Sequence, residues 1–219
     1  MEDNNIITGE REKQRMKVVF IRTNVLFPHQ ILNFELGKDN EILRVIEDAR
    51  AKNEDVLVIT EKNGNVNKSL PNDAYKVGTT AKVTQILRLP NDTARAIVRG
   101  ERRMMVEEYI SVAPFVATVT PYGEDVAADD AETKALINLI KEECGRTLQN
   151  SAKFNKDIIS QADIINVDRL ICELVYYLFN NDADRQRILE IYSKRDQLEA
   201  IYAKLISSGE VLAAEKRIS

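Results

Sequence analysis

The spacing of apolar residues changes once along this chain, near Gly123, and that change constrains the fold more than any other feature. Before it, apolar side chains alternate with polar ones or form short β-branched runs, as strands require. After it they recur roughly every 3.6 residues, as on one face of a helix. The expectation is an α+β chain in three parts. Residues 1–15 are polar and aperiodic and read as a disordered leader. Residues 16–122 read as a β-rich lobe of about six strands with one helix. Residues 123–219 read as an all-helical lobe that ends in a long helix.

Within the first lobe, Lys17–Ile21 and Ile31–Glu35 are expected strands, separated by a break that contains Phe27-Pro28-His29. Ile42, Val45, Ile46 and Ala49 share one helical face, with Asp39 placed to cap the helix. Asp55–Thr60 is apolar without alternation, which suits a strand buried on both faces. A turn is expected at Asn63-Gly64-Asn65. Between Val77 and Leu89 the residues Ala81, Val83, Leu87 and Leu89 fall on one parity, the mark of a strand with one wet face. Pro90-Asn91-Asp92 then turns the chain, and Ala94–Tyr109 returns as partner, with Gly100 expected at a bulge or bend. Phe115–Thr120 is the last strand.

In the second lobe, Asp129 to Glu132 resembles a capping box with Asp129 as cap. Leu136, Leu139, Ile140 and Cys144 form one apolar stripe, and Val167, Ile171, Leu174 and Leu178 a second. A third runs from Asp184 through Ile188, Ile191, Leu198, Ile201 and Leu205. Unbroken to Ser207, it predicts a helix about 36 Å long.

Composition excludes several classes. The net charge is −4, nearly balanced before Gly123 and acidic after it, whereas phosphate binding needs a basic surface. No apolar run approaches the ~20 residues of a membrane span. Met1–Asn5 is acidic and polar, unlike the start of a signal peptide. The two cysteines, Cys144 and Cys172, offer neither a disulfide framework nor metal-ligand spacing, which fits a reducing cytoplasm.

A search for chemistry returns little. His29 is the only histidine, so it is either a lone base or a loop residue. No serine is bracketed as Gly-x-Ser-x-Gly, and no glycine-rich loop ends in Gly-Lys-Ser/Thr. Cys144, near Lys141, is either a reactive thiol or a core residue. The carboxylate pairs Glu107-Glu108, Asp129-Asp130 and Glu142-Glu143 are sequence neighbours, whose side chains diverge in a strand or helix. Arg99, Arg102 and Arg103 form either an anion site or a solvated hairpin face. No catalytic, cofactor-binding or metal-binding residue is nominated.

One resemblance organises these segments. IRTNVLFPHQILNFELGK (Ile21–Lys38) resembles the opening of the N-terminal domain family of Lon-type ATP-dependent proteases, with Arg22, Phe27, Pro28 and Gly37 at the family's positions. YKVGTTAKV (Tyr75–Val83) and AIVRGERRMMV (Ala96–Val106) resemble its next two signatures, in order. INVDRLICELV and DADRQRILEIYSKRDQLEAIYAKL resemble its helical half, so the likeness covers about residues 16–219. The chain departs from the family's usual residues at Phe20-Ile21, Asn33 and Lys38.

The resemblance implies a PUA-like β-lobe and a helical bundle standing before an ATPase and a Ser-Lys peptidase. Such a domain engages unfolded, damaged or regulatory proteins and supports assembly of a cytoplasmic homo-hexamer. ATP and Mg then belong to the motor and not to these residues, and the chain alone is not an enzyme. The charged, helical end at Glu215–Ser219 is expected where a linker helix to the motor begins. A substrate-gripping module needs exposed apolar surface. Leu26, Phe27, Pro28 and Ile31 are the candidates, either as substrate contacts or as a packed strand connection. Leu198, Ile201, Tyr202 and Leu205 line either the bundle core or a neighbouring subunit. A stand-alone adaptor and a nucleic-acid-binding module are the alternative readings; the acidic balance weighs against the second.

Overall fold

Six strands and six helices follow one another in the computed structural model, which describes residues 12–37, 40–62, 71–90, 93–124, 126–127, 130–148, 156–164 and 166–218. The expected turn at 63–65, the cap at Asp39 and much of the 90–92 turn lie outside these residues, as does the leader up to residue 11. The strands are β1 (Gln14–Ile21), β2 (Ile31–Gly37), β3 (Val56–Thr60), β4 (Val77–Arg88), β5 (Thr93–Val112) and β6 (Phe115–Pro121). β1 starts inside the stretch expected as leader, because Gln14–Lys17 find partners in Val116–Val119 of β6.

The sheet order is β2-β5-β4-β3-β1-β6, and β6 pairs again with β5, so the sheet closes on itself. β5 makes this possible because its 20 residues serve three partners. β4 runs along one edge, while β2 takes Thr93–Arg99 and β6 takes Met104–Val112 on the other. β1 and β3 are parallel, and such a pair needs a crossover connection. That connection contains α1 (Glu41–Lys52), capped by the Asn40 side chain, which accepts from the Ile42 N–H at 2.8 Å. Its buried face, Leu43, Val45, Ile46 and Ala49, packs with Val19, Ile21, Leu32 and Ala96 in one core. β3 is buried along its whole length, as its unbroken apolar run requires.

Gly100 does sit beside a register shift between β4 and β5. Its deeper reason is a close approach: a side chain there would overlap the Phe27 carbonyl oxygen.

The helices are α2 (Ala131–Thr147), α3 (Lys156–Ser160), α4 (Val167–Leu178), α5 (Asp182–Glu190) and α6 (Lys194–Ile218). Three sequence expectations need correction. Asp130 caps α2, its carboxylate accepting from the Glu132 N–H at 3.2 Å; Asp129 lies outside the described residues. The buried face of α2 is Thr133, Ile137, Ile140 and Cys144, which leaves Leu139 44% exposed. The third stripe is not one helix. It breaks at Ile191–Ser193, where side chains from the sheet take the carbonyls of the α5 end. α6 alone, with 25 residues, is then about 37 Å long. The helical core, built on Leu170, Leu174, Leu198 and Ile201, continues into the β-lobe through Val25, Phe27 and Val77.

Candidate functional site

Among the described residues, the curl of the sheet leaves two strand edges without partners. β2 pairs only with β5, and the last residues of β1, Val18–Ile21, pair only with β3 because β6 ends its ladder at Lys17. These two edges line a common cleft of about 730 Å³. Its floor is apolar: Phe20 and Ile21 from β1, Leu32 and Phe34 from β2, and Phe115 from β6. Phe20 and Phe115 meet edge to face at 4.9 Å, which ties the β5–β6 hairpin to the floor. The first turn of α1, with Asn40, Glu41 and Ile42, also contributes to the wall.

Val18, Leu36, Val45 and Pro114 extend the apolar lining, and polar groups stand around it. Arg22 stands 3.9 Å from Glu61, and Glu35 is paired with Arg95. Glu41 completes a rim of three carboxylates against one guanidinium. Ile31 at the start of β2 is 64% exposed, and Val112, two residues before the lining Pro114, is 62% exposed. The lining holds neither a histidine nor a cysteine. Such a surface can hold an apolar ligand; it has no group arranged to break a bond.

Behind the cleft lies a polar seam between sheet and helices. The connection from β1 to β2 is pinned to α4: the Tyr176 hydroxyl donates to the Val25 carbonyl at 2.5 Å and accepts from its N–H at 3.3 Å. Burial pushes the Tyr176 phenol above its ordinary range, so it stays a donor. Phe27 meets the same ring edge to face, and the Asn24 N–H donates to Asp182 at 2.9 Å. Gln186 donates to the Val77 carbonyl at 2.9 Å, and Tyr122 to that of Glu190 at 2.6 Å. Arg103 donates to the carbonyls of Leu189, Ile191 and Tyr192.

The sequence candidates divide between these regions. Leu26, Phe27 and Pro28 are buried, and Thr79 fixes the Leu26 carbonyl at 2.5 Å, so of the four only Ile31 meets solvent. Leu198, Ile201 and Leu205 are buried in the bundle, with Tyr202 half-buried beside them. His29 is exposed in left-handed backbone, its N–H donating to Gly100. Burial pushes the Cys144 and Cys172 thiols up to about 12, which rules out a thiolate nucleophile near neutrality. The arginine cluster is split: Arg99 pairs with Glu101, Arg102 reaches Gln14, and Arg103 turns into the seam. Sequence reading missed Arg103, whose charge concealed a buried position; its neighbour Met104, buried as well, marks an irregular stretch of β5 where alternation fails.

Among the described residues no cluster suited to a metal ion is present, and no helix is long and apolar enough to cross a membrane.

Comparison with known proteins adds a consistent set of likenesses. The family profile for the ATP-dependent protease La (LON) substrate-binding domain matches residues 15–206. A Lon protease of Clostridium acetobutylicum is 25% identical over 210 residues, covering 95% of this chain and 27% of that protein. A Lon protease of Bacillus thuringiensis is 32% identical over 203 residues, covering 90% of this chain and 25% of that protein. The chain thus spans about a quarter of the length of these relatives. Among solved structures, the N-terminal domain of a Mycobacterium avium complex Lon protease superposes with a TM-score of 0.65 at 19% identity, over 88% of this chain and 98% of that one. A Lon N-terminal domain protein from Xanthomonas campestris gives 0.61 at 15% identity, over 87% and 98%. These two show the fold.

Proposed function

The chain belongs to the LON substrate-binding domain family, and from that premise we propose that it is the non-catalytic module through which a Lon-type ATP-dependent serine protease engages unfolded, damaged or regulatory proteins. The same module supports assembly of the homo-hexamer in the cytoplasm. ATP and Mg act in the motor of that protease, and peptide cleavage in its Ser-Lys centre; this chain supplies capture.

The observation that carries this reading is the open apolar cleft between β1 and β2, with exposed Ile31 near one strand start and no reactive group in its lining. Unfolded proteins differ from folded ones chiefly in exposed apolar side chains, and a concave apolar surface discriminates on that basis without chemistry. Of the four first considered, Ile31 alone meets solvent, at the start of β2 beside the cleft and outside its lining. Leu26, Phe27 and Pro28 act from beneath, holding the start of β2 in place. Leu198, Ile201 and Leu205 stabilise the bundle, which leaves half-buried Tyr202 as the candidate for a neighbouring subunit.

A pull-down tests the reading. The immobilised chain is offered one protein in two forms, native and reduced-carboxymethylated. Retention of the unfolded form alone is expected. Equal retention of both, or of neither, contradicts substrate capture.

A further inference from the structure

We infer that the cleft takes its ligand by strand addition: an extended polypeptide segment, apolar at alternate positions and flanked by Lys or Arg, lying between the free edges of β1 and β2. This deepens the substrate-capture reading and rests on it. The backbone supplies the first reason. A strand paired on one side presents a row of unused N–H and C=O groups, which another extended chain satisfies better than any compact ligand. β2 has such an edge over Ile31–Gly37, and β1 has a shorter one over its last residues.

Proteins usually guard such edges with lysine, proline, a bulge or a covering element. The sequence of β2, ILNFELG, has no lysine or proline, its ladder to β5 runs without a register shift, and it opens on the exposed Ile31. The floor beside it is apolar and continuous from Leu32 and Phe34 to Phe20 and Phe115. Alternate side chains of an added strand point down to that floor, and the rest point to solvent. The seven residues of β2 match a segment of similar length, about 23 Å when extended.

Charge selects the flanks. Glu61 is partly answered by Arg22, and Glu35 by Arg95, while Glu41 makes no ion pair among the described residues. A cation at the end of the bound segment is favoured there, and a carboxylate is repelled.

Fluorescence anisotropy with designed peptides tests this. The parent probe alternates Val and Thr over eight residues between lysine flanks. A second probe replaces alternate amides by esters, which removes N–H donors and keeps the side chains. A third carries glutamate flanks. The reduced-carboxymethylated protein serves as competitor. The parent is expected to bind and to be displaced by the competitor. The ester probe loses about tenfold or more, as two or more main-chain hydrogen bonds disappear. Glutamate flanks weaken binding several-fold, and Glu41→Lys reverses that preference. Ile42→Asp, at a half-buried position of the cleft wall in the first turn of α1, abolishes binding, whereas Leu139→Asp on the exposed side of α2 does not.

If the competitor displaces the parent but the ester probe binds equally well, strand addition is wrong and substrate capture stands. Full binding to Ile42→Asp overturns the location in the same way. If neither the competitor nor the parent binds, both fall together.

Discussion

Arg103, on strand β5, closes the end of a helix in the other half of the chain: its guanidinium donates to the Tyr192 carbonyl at 2.9 Å and to the Leu189 carbonyl at 3.0 Å. The last carbonyls of a helix lack partners within it, and here a buried fork of donors from the sheet supplies them. The Tyr122 ring lies 5.7 Å below the same group, and Gly123, at φ +112°, leaves room for it. The break between α5 and α6 is therefore a product of the seam, and the seam holds the sheet that carries the cleft.

Replacing Arg103 by Met takes the guanidinium from the Leu189 and Ile191 carbonyls, the first of them buried, while the Tyr192 carbonyl keeps the Glu124 N–H at 3.3 Å. The expected loss is about 3 kcal/mol of folding stability, read from the shift in urea midpoint. Arg103→Lys recovers only part of it, because an ammonium cannot span carbonyls that a planar fork reaches together. A loss under about 1 kcal/mol for Met contradicts the seam's importance.

Two glycines should respond in opposite directions. Gly100→Ala forces a methyl group onto the Phe27 carbonyl and is expected to cost about 2–3 kcal/mol, since backbone must move. Gly145→Ala, inside α2 with open space around it, is expected to stabilise by about 0.5–1 kcal/mol. Thermal melts of the two variants beside the parent decide this; equal shifts contradict it.

Alkaline pH should weaken the fold. The Cys144 and Cys172 thiols are both pushed up to about 12 by burial, and the Tyr109 phenol also to about 12. Unfolded thiols ionise near their ordinary value of 9.0, so above it the unfolded chain binds fewer protons than the folded one. Stability therefore falls as pH rises from about 9 towards 12, and is unaffected by these groups below that window. Urea midpoints at pH 8, 9 and 10 should decline, and the decline should shrink in the Cys144→Ala, Cys172→Ala double variant. In parallel, a thiol reagent at pH 8 should label the buried Cys144 only when urea unfolds the chain.

What was legible in the sequence follows from local physics. The unbroken apolar run located β3, and alternation located β4 as far as Val83, because a residue's face in a sheet depends on its own parity; the register shift between Val83 and Gln85 then turns the expected core residue Leu87 outward and packs Ile86 in its place. The α1 face was legible for the same reason, with a period of 3.6. The α5–α6 break carries no glycine or proline; its local mark is Ser193, whose hydroxyl accepts from the Asp196 N–H at 3.4 Å at the start of α6, and Arg103 holds the Ile191 carbonyl from 88 residues away. Leu139 misled because Leu136 and Leu139 share a spacing that fits two neighbouring faces, and only packing against α6 chose between them. At the site, Phe27-Pro28 fitted either a substrate contact or a packed strand connection, and the contacts with Tyr176 and Gly100 that decide for the packed connection come from distant parts of the chain. The cleft itself is a property of how far the sheet curls before β2 meets β1, which no short window of residues encodes.

Amide hydrogen exchange, measured with and without a saturating reduced-carboxymethylated protein, tests the assignment of capture to this cleft most directly. Slowed exchange is expected at the free edges, in residues 31–37 and 18–21, with α2 to α6 unchanged. Protection confined to the helices, under conditions where the unfolded protein is bound, would place capture elsewhere and contradict it.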